Sequence, residues 1–119
     1  MVETAGAARA IAIPAKSQSP GSAVNGGELL MLALATCFGN DLYREAARLG
    51  ITLLGIEVVA EADFEGIGLA ATNIRYRARV DSPGTPEEIQ RLLAETDAVA
   101  EIHNTVRAGV RVLRETWEK

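Results

Sequence analysis

The chain has 119 residues, 48% hydrophobic and 24% charged, which is ordinary for one globular domain. Its formal net charge is −4, so nucleic acid is not expected as a partner. One cysteine, one histidine and the lack of a signal-like or spanning segment predict a cytoplasmic protein with a reduced thiol, no membrane association, no metal site and no cofactor.

The N-terminal part has weak patterns. Residues 1–8 show no clear periodicity and are expected to fray. Isoleucines and alanines alternate over residues 9–13, which predicts a short strand ended by Pro14. Serine, proline, glycine and asparagine dominate residues 17–27, which indicates a loop.

Residues 25–50 are predicted to form one long central helix. Asn25 is a good N-cap, Glu28 follows at the capping-box position, and Gly50 can take the positive φ that ends a helix. The apolar run from Leu29 is only about ten residues long, whereas roughly twenty are needed to span a bilayer. This part of the helix must therefore be buried by protein.

Two segments with alternating apolar residues follow, over residues 56–64 and 74–80, and they predict an antiparallel hairpin. Its arginine-rich outer face is either an anion site or a solvated face neutralised by the neighbouring strand, and the second is favoured because surface ion pairs are common. The predicted facing pairs are Glu61 with Arg75, Glu57 with Arg79, Ile56 with Val80, and Val58 with Ala78.

A helix is predicted to begin after Thr85. This threonine is a suitable N-cap, Pro86 fits the first helical position, and Glu88 completes a capping box. Its apolar stripe is Ile89, Leu92 and Leu93.

The C-terminal part predicts a second, shorter helix and a last strand. Thr96 and Asp97 are candidate caps for a helix over residues 98–107, which Gly109 would end. Alternating valines predict a strand over residues 110–113.

Cys37, in the central helix, is the main candidate for chemistry. The chain has no glycine-rich phosphate loop, no C-x-x-C motif and no nucleophile elbow. A cysteine on an apolar helix is often a small, inert core residue, because burial disfavours the thiolate. From the residues alone, both an inert and a reactive thiol stay open.

The segment from Glu28 to Phe38, with Glu-Leu-Leu near its start and Ala-Leu-Ala-Thr-Cys-Phe at its end, resembles the central helix of the OsmC/Ohr family, the osmotically inducible protein C and organic hydroperoxide resistance proteins. The order of the later elements agrees over residues 9–114. The resemblance implies an α+β fold with the long helix packed on an antiparallel sheet. It also implies a single domain over residues 1–119 with a shortened N-terminal sheet, and an intertwined homodimer.

The same resemblance implies a peroxide-reducing site. Cys37 matches the family's peroxidatic cysteine, while Arg9 and Glu28 match its activating arginine and glutamate by type. Ala100 occupies the place of the second cysteine. The implied function is a one-cysteine peroxidase that reduces organic hydroperoxides and is regenerated by an external thiol. The alternative is a non-catalytic dimeric protein that binds a small apolar ligand near Cys37.

His103 is a further candidate for the site. It follows Ala100 by three residues, so a helix would place both side chains on one face. Since the resemblance places Ala100 toward Cys37, we expect the imidazole near the thiol, where it could stabilise the thiolate. The alternative is a surface histidine at the rim of the helix.

Overall fold

The computed structural model describes residues 1–117, which form an α+β fold. Both sheets are antiparallel and two-stranded, β1 pairing with β2 and β3 with β4. The chain divides into two compact units, Met1–Leu30 and Met31–Lys119. In chain order the elements are β1 (Val2–Thr4), β2 (Ala7–Arg9), α1 (Gly26–Leu49), β3 (Gly55–Asp63), β4 (Thr72–Asp81), α2 (Pro86–Val99) and α3 (Glu101–Ala108).

The N-terminal unit contains a hairpin that the sequence pattern did not predict. Ala5 and Gly6 have φ angles of 51° and 79°, so they form the two-residue turn between β1 and β2. The expected fraying of residues 1–8 is therefore wrong, and so is the strand over residues 9–13, of which only Arg9 is in a strand. The turn was missed because asparagine or aspartate, rather than alanine, usually precedes glycine in such turns.

Both predicted ends of the long helix α1 are confirmed. The side chain of Asn25 accepts a hydrogen bond from the backbone N–H of Glu28 at 2.8 Å, and the Glu28 carboxylate accepts one from the backbone of Asn25 at 3.1 Å. At the other end Gly50 has a φ of 71°, and Ile51 donates its backbone N–H to the carbonyl of Ala46 at 2.8 Å. Within residues 1–117, no helix combines the length and apolar character needed to cross a bilayer.

The β3–β4 hairpin has the predicted register, and all four predicted facing pairs are present. Arg75 and Arg77 both contact Glu61, at 2.8 Å and 3.0 Å, and Arg79 contacts Glu57 at 2.7 Å. Since each arginine has an acidic partner on the neighbouring strand, the face is the solvated, neutralised surface that was favoured.

Helix α2 begins as predicted, with the capping box of Thr85 and Glu88 complete and Pro86 in the first turn. The predicted start of the next helix, at residue 98, is wrong. Helix α2 continues to Val99, and α3 begins at Glu101. Ala100, with a ψ of 103°, separates α2 from α3.

The two expected caps of the second helix are used for other contacts. The hydroxyl of Thr96 donates to the carbonyl of Leu92 at 2.7 Å, inside α2. Asp97 accepts hydrogen bonds from a tyrosine and an arginine side chain. The helical residues after Ala100 therefore begin without a side-chain cap, although Gly109 ends α3 as predicted, with a φ of 61°.

The strand predicted over residues 110–113 is not formed in the described chain. Val110 is 61% exposed and Val112 is 93% exposed. The alternation predicts a strand only if a partner strand covers one face, and no strand of the described residues pairs with this segment.

The core lies in the second unit, where α1 packs against the hairpin and α2. Gly39 allows close packing, because a Cβ at this position would lie 3.3 Å from the Ile56 side chain. The central buried residues are Phe38, Leu42, Ala46, Ile51, Leu92 and Ala100, with partly buried aliphatic residues and Tyr76 around them.

Candidate functional site

Cys37 lies in the middle of α1 and is half-buried. Its Sγ donates a hydrogen bond to Oδ2 of Asp41 at 3.8 Å, one helical turn further on. Asp41 is itself only 7% exposed, and its other carboxylate oxygen accepts from Nη1 of Arg44 at 2.9 Å. The thiol proton therefore points at a buried, paired carboxylate.

The ion pairs around Asp41 hold it in place. The negative charge of Asp41 is the main cause that raises the pKa of Arg44, which also contacts Glu45 at 3.4 Å. Arg48 joins Glu45 to Glu95 on α2, with distances of 2.9 Å and 2.7 Å. The hydrogen bond from Arg48 lowers the pKa of Glu45. These contacts extend along one side of α1 and tie it to α2.

His103 is buried, with 4% of its surface exposed, so the alternative of a surface histidine is wrong. Its ring lies 4.5 Å from the ring of Tyr76 and 5.7 Å from that of Phe38, measured between centroids. Neither ring nitrogen has a hydrogen-bond partner among the described residues. His103 and Cys37 are thus not joined by a hydrogen bond.

The surroundings of His103 favour the neutral ring. Burial is the main cause that lowers the pKa of His103, and the positive charge of Arg107 lowers it further. The carboxylates of Asp97 and Asp41 act in the opposite direction. Since burial lowers the pKa of His103 from its ordinary value, the neutral imidazole is the main form at pH 7.

A second polar cluster fixes the tyrosine that packs on His103. The Tyr76 hydroxyl donates to Oδ1 of Asp97, and Nη2 of Arg107 donates to the same oxygen at 2.7 Å. Burial and the neighbouring carboxylate raise the pKa of Tyr76, whereas the Arg107 hydrogen bond lowers the pKa of Asp97. The phenol therefore stays protonated and acts as a hydrogen-bond donor.

A small cavity of about 100 Å³ lies beside His103. One of its lining residues is Leu34, which precedes Cys37 on α1 by three residues. A larger cavity of about 370 Å³ at one end of the hairpin has no buried polar side chain in its lining. The small cavity is lined by Leu34, Ile74, Arg75, Tyr76, His103, Val106 and Arg107.

The sequence profile described as OsmC-like protein matches residues 19–113, which is most of the chain. The chain belongs to the OsmC-like family. No curated protein sequence matches this OsmC-like chain.

Solved structures similar to the OsmC-like chain support the same fold. An OsmC-like protein from Mycoplasma pneumoniae is 20% identical, with a TM-score of 0.59, covering 70% of this chain and 62% of that one. An OsmC-like protein of unknown function from Vibrio cholerae is 18% identical, with a TM-score of 0.55 and coverage of 69% and 58%. An OsmC-like hydroperoxide resistance protein from Jannaschia sp. CCS1 is 17% identical, with a TM-score of 0.62 and coverage of 82% and 68%. The chain therefore spans only 62% and 58% of the length of the first two proteins.

The other predicted residues of the OsmC-like site belong to the first unit. Arg9 ends β2 and is exposed, and Glu28 is exposed and bonded to Asn25 in the capping box. Their contact with Cys37 stays a prediction. Within residues 1–117, no group of three or more histidine, cysteine, aspartate or glutamate side chains is placed to hold a metal ion.

Asp41 was missed by the sequence analysis. The signal was present, because side chains four residues apart on a helix are neighbours, and Asp41 follows Cys37 by that interval. An aspartate at this position is also compatible with a solvated helix face, and only its burial distinguishes the two cases.

Proposed function

We propose that this OsmC-like chain is a one-cysteine thiol peroxidase that reduces organic hydroperoxides at Cys37. The observation that carries the proposal is the hydrogen bond from the Cys37 thiol to the buried carboxylate of Asp41. Family membership supports it, as does the similarity to a protein named as an OsmC-like hydroperoxide resistance protein. The proposed setting is a cytoplasmic homodimer.

In the proposed reaction the sulfur of Cys37 attacks one peroxide oxygen and the O–O bond breaks. The sulfur becomes sulfenic acid and the hydroperoxide leaves as an alcohol. An external thiol then displaces water from the sulfenic acid to give a mixed disulfide. A second thiol molecule releases the Cys37 thiol and forms the disulfide of the reductant.

Asp41 acts as the proton carrier in this proposal. It accepts the thiol proton as sulfur attacks and donates it to the departing alkoxide oxygen, and it returns to the carboxylate. A negative carboxylate opposes a thiolate beside it, so Asp41 does not activate sulfur by charge. A neutral His103 supplies no positive charge either. The predicted roles of Arg9, Glu28 and His103 at the thiol stay predictions.

The decisive test is Asp41→Asn, because the rates of two reactions of Cys37, alkylation and peroxide reduction, should change in opposite directions. Alkylation of Cys37 by iodoacetamide at pH 7 should become faster, since the opposing charge is gone and no leaving group needs a proton. Reduction of cumene hydroperoxide should become slower, by about 10²-fold or more, since the proton carrier is lost. Asp63→Asn, which removes an exposed carboxylate from β3, is the control and should change neither rate. If both rates fall together in Asp41→Asn, Asp41 does not carry the proton.

The oxidised species provides a separate test. After one equivalent of hydroperoxide, mass spectrometry with a sulfenic-acid trap should find the adduct on Cys37, and Cys37→Ser should give none. Because the chain has one cysteine, no disulfide can form within it, and turnover should stop without added thiol. Sustained turnover without added thiol would contradict the one-cysteine cycle.

The homodimer is proposed from the exposed apolar surface of the second unit. Leu32 is 60% exposed, Phe64 54% and Leu69 62%. Such surface is favourably removed from water by a second copy of the chain. Sedimentation at micromolar concentration should show a dimer, and a folded monomer there would refute this part of the proposal.

A second candidate is a non-catalytic dimeric protein that binds a small apolar ligand near Cys37. The small cavity favours it, because Leu34, which lies one helical turn before Cys37 on α1, lines that cavity together with the aliphatic side chains of Ile74 and Val106. Failure to trap any sulfenic acid on Cys37 in the folded parent protein would support this candidate over the peroxidase.

A further inference from the structure

The orientation of Asp41 is set by two contacts, one on each carboxylate oxygen. Oδ2 accepts the hydrogen bond of the Cys37 thiol at 3.8 Å, and Oδ1 accepts one from Nη1 of Arg44 at 2.9 Å. The terminal torsion of an aspartate side chain is broad and roughly two-fold, so a single contact would leave the carboxylate free to turn. The Arg44 contact is the shorter of the two and joins two charged groups, so it is the one that restrains the carboxylate.

Asp41 depends on Arg44 more than the neighbouring carboxylate Glu45 does. Within the described residues, Arg44 is the only cationic partner of Asp41, and the 7% exposure of Asp41 leaves little room for water to replace it. Glu45 also contacts Arg44, but it keeps Arg48 at 2.9 Å when Arg44 is removed. Loss of the Arg44 side chain therefore acts mainly on the carboxylate beside Cys37.

The spacing along α1 explains why these three side chains meet. Side chains three or four residues apart on a helix are neighbours, and they lean toward the N-terminus of the helix. Arg44 therefore reaches back to Asp41, which lies one turn after Cys37. Arg48 lies a further turn along and bonds Glu45 and Glu95 instead.

Arg44 also supplies positive charge near the sulfur. Its guanidinium is separated from Sγ of Cys37 by one carboxylate group. The negative charge of Asp41 is the main cause that raises the pKa of Arg44, so the two charges are directly coupled. A positive charge in this position favours the thiolate and partly offsets the opposing charge of Asp41.

We propose that Arg44 is the positioning residue of the proposed peroxidase. Its guanidinium holds Asp41 so that Oδ2 stays at the Cys37 thiol, and its charge offsets that of Asp41 at the sulfur. Asp41 touches the reacting thiol, whereas Arg44 acts through Asp41. The role rests on the proposed peroxidase function, in which Asp41 must meet first the thiol proton and then the departing alkoxide oxygen.

The test compares Arg44→Met with Arg48→Met as the matched control. Methionine is a good helix former like arginine, and it removes the charge and the N–H donors. Both arginines lie on α1, have side chains about half exposed, and contact Glu45. Arg48 does not contact Asp41, and it follows Cys37 by about 16 Å along the helix axis, farther than the screening length of about 10 Å in 0.1 M salt. Circular dichroism checks that each variant is folded before it is assayed.

Two rates of the Arg44→Met protein should fall. Reduction of cumene hydroperoxide should slow by about tenfold, less than in Asp41→Asn, because the carboxylate is still present but no longer held in place. Alkylation of Cys37 by iodoacetamide at pH 7 should slow by about two- to tenfold, because a charge that favours the thiolate is lost. A loosened helix would instead expose the thiol and make alkylation faster, so the direction of this change separates the proposed role from a structural defect. Arg48→Met should leave both rates unchanged.

Arg44→Lys is the rescue variant. Arg44 contacts Asp41 through one nitrogen, and a lysine ammonium keeps the charge and can donate one such bond. Both rates should therefore return most of the way to those of the parent. Arg44→Lys as slow as Arg44→Met, equal peroxide reduction in Arg44→Met and Arg48→Met, or alkylation that is unchanged or faster in Arg44→Met would each overturn the proposed role.

The failure of this proposal is distinguishable from the failure of the peroxidase proposal. If the parent reduces the hydroperoxide and Arg44→Met is equally fast, only the role of Arg44 is overturned. If no sulfenic acid can be trapped on Cys37 of the parent, the peroxidase reaction itself is refuted, and the role of Arg44 in it falls as well.

Discussion

Replacing the buried histidine by phenylalanine should stabilise the protein. In His103→Phe the unpaired ring nitrogens are removed, while the aromatic contacts with Phe38 and Tyr76 are kept. One buried polar group without a partner costs about 1–3 kcal/mol. The larger phenyl ring can extend into the adjacent 100 Å³ cavity, so little overpacking is expected. We expect the free energy of unfolding to rise by about 1–2 kcal/mol, and the melting temperature by roughly 4–8 °C.

The pH dependence gives this prediction a second readout. The pKa of His103 is lowered in the folded state, so the unfolded chain takes up a proton that the folded chain does not. The stability of the parent is therefore complete above about pH 6.5 and declines as the pH falls, by up to about 1.4 kcal/mol per pH unit. Glu45, Glu95 and Asp97 also have lowered pKa values, but their contributions are lost only near and below the ordinary carboxylate pKa.

The assay is urea denaturation at pH 7.5 and pH 5.5, at one protein concentration, for the parent and two variants. His103→Phe should be more stable than the parent and should lose the decline between the two pH values. His103→Asn is the matched control, because it cannot titrate but still buries polar atoms, so it should lose the decline without gaining stability. A parent whose stability is equal at both pH values, or a His103→Phe protein less stable than the parent, would refute the reasoning.

Three further predictions concern the elements that hold the site. Thr85→Ala should lower the free energy of unfolding by about 1 kcal/mol in urea denaturation, because the capping box of α2 is lost. Leu92→Ala should lower it by about 2–5 kcal/mol, since Leu92 is fully buried, whereas Leu54→Ala at a 68% exposed position should change it by less than about 0.5 kcal/mol. Arg79→Gln should change it by less than about 1 kcal/mol, because its side chain is 82% exposed; a larger loss would contradict the solvated-face interpretation.

The sequence alone determined the parts of the fold that depend on near neighbours. Asn25 and Thr85 each begin a helix through hydrogen bonds to a residue three positions away, and Gly50 ends one through its own φ. The register of β3 and β4 was also predictable, because a one-residue slip would exchange the apolar and charged faces of both strands. Cys37 and its place on the long helix followed from the same local patterns.

Tertiary structure decided the outcome where a local sequence pattern was compatible with more than one structure. Thr96 and Asp97 have the character of helix caps, but Asp97 is engaged by side chains from other elements and α2 continues past both. Residues 110–113 alternate like a strand and pair with none in the described chain. His103 could not be assigned to the surface or the interior from its spacing, and its burial depends on aromatic residues distant in sequence. Short-range hydrogen bonds and the alternation of apolar residues can be read from the sequence. Burial and the charge environment depend on which distant segments come into contact, and burial and charge determine the chemistry of the site.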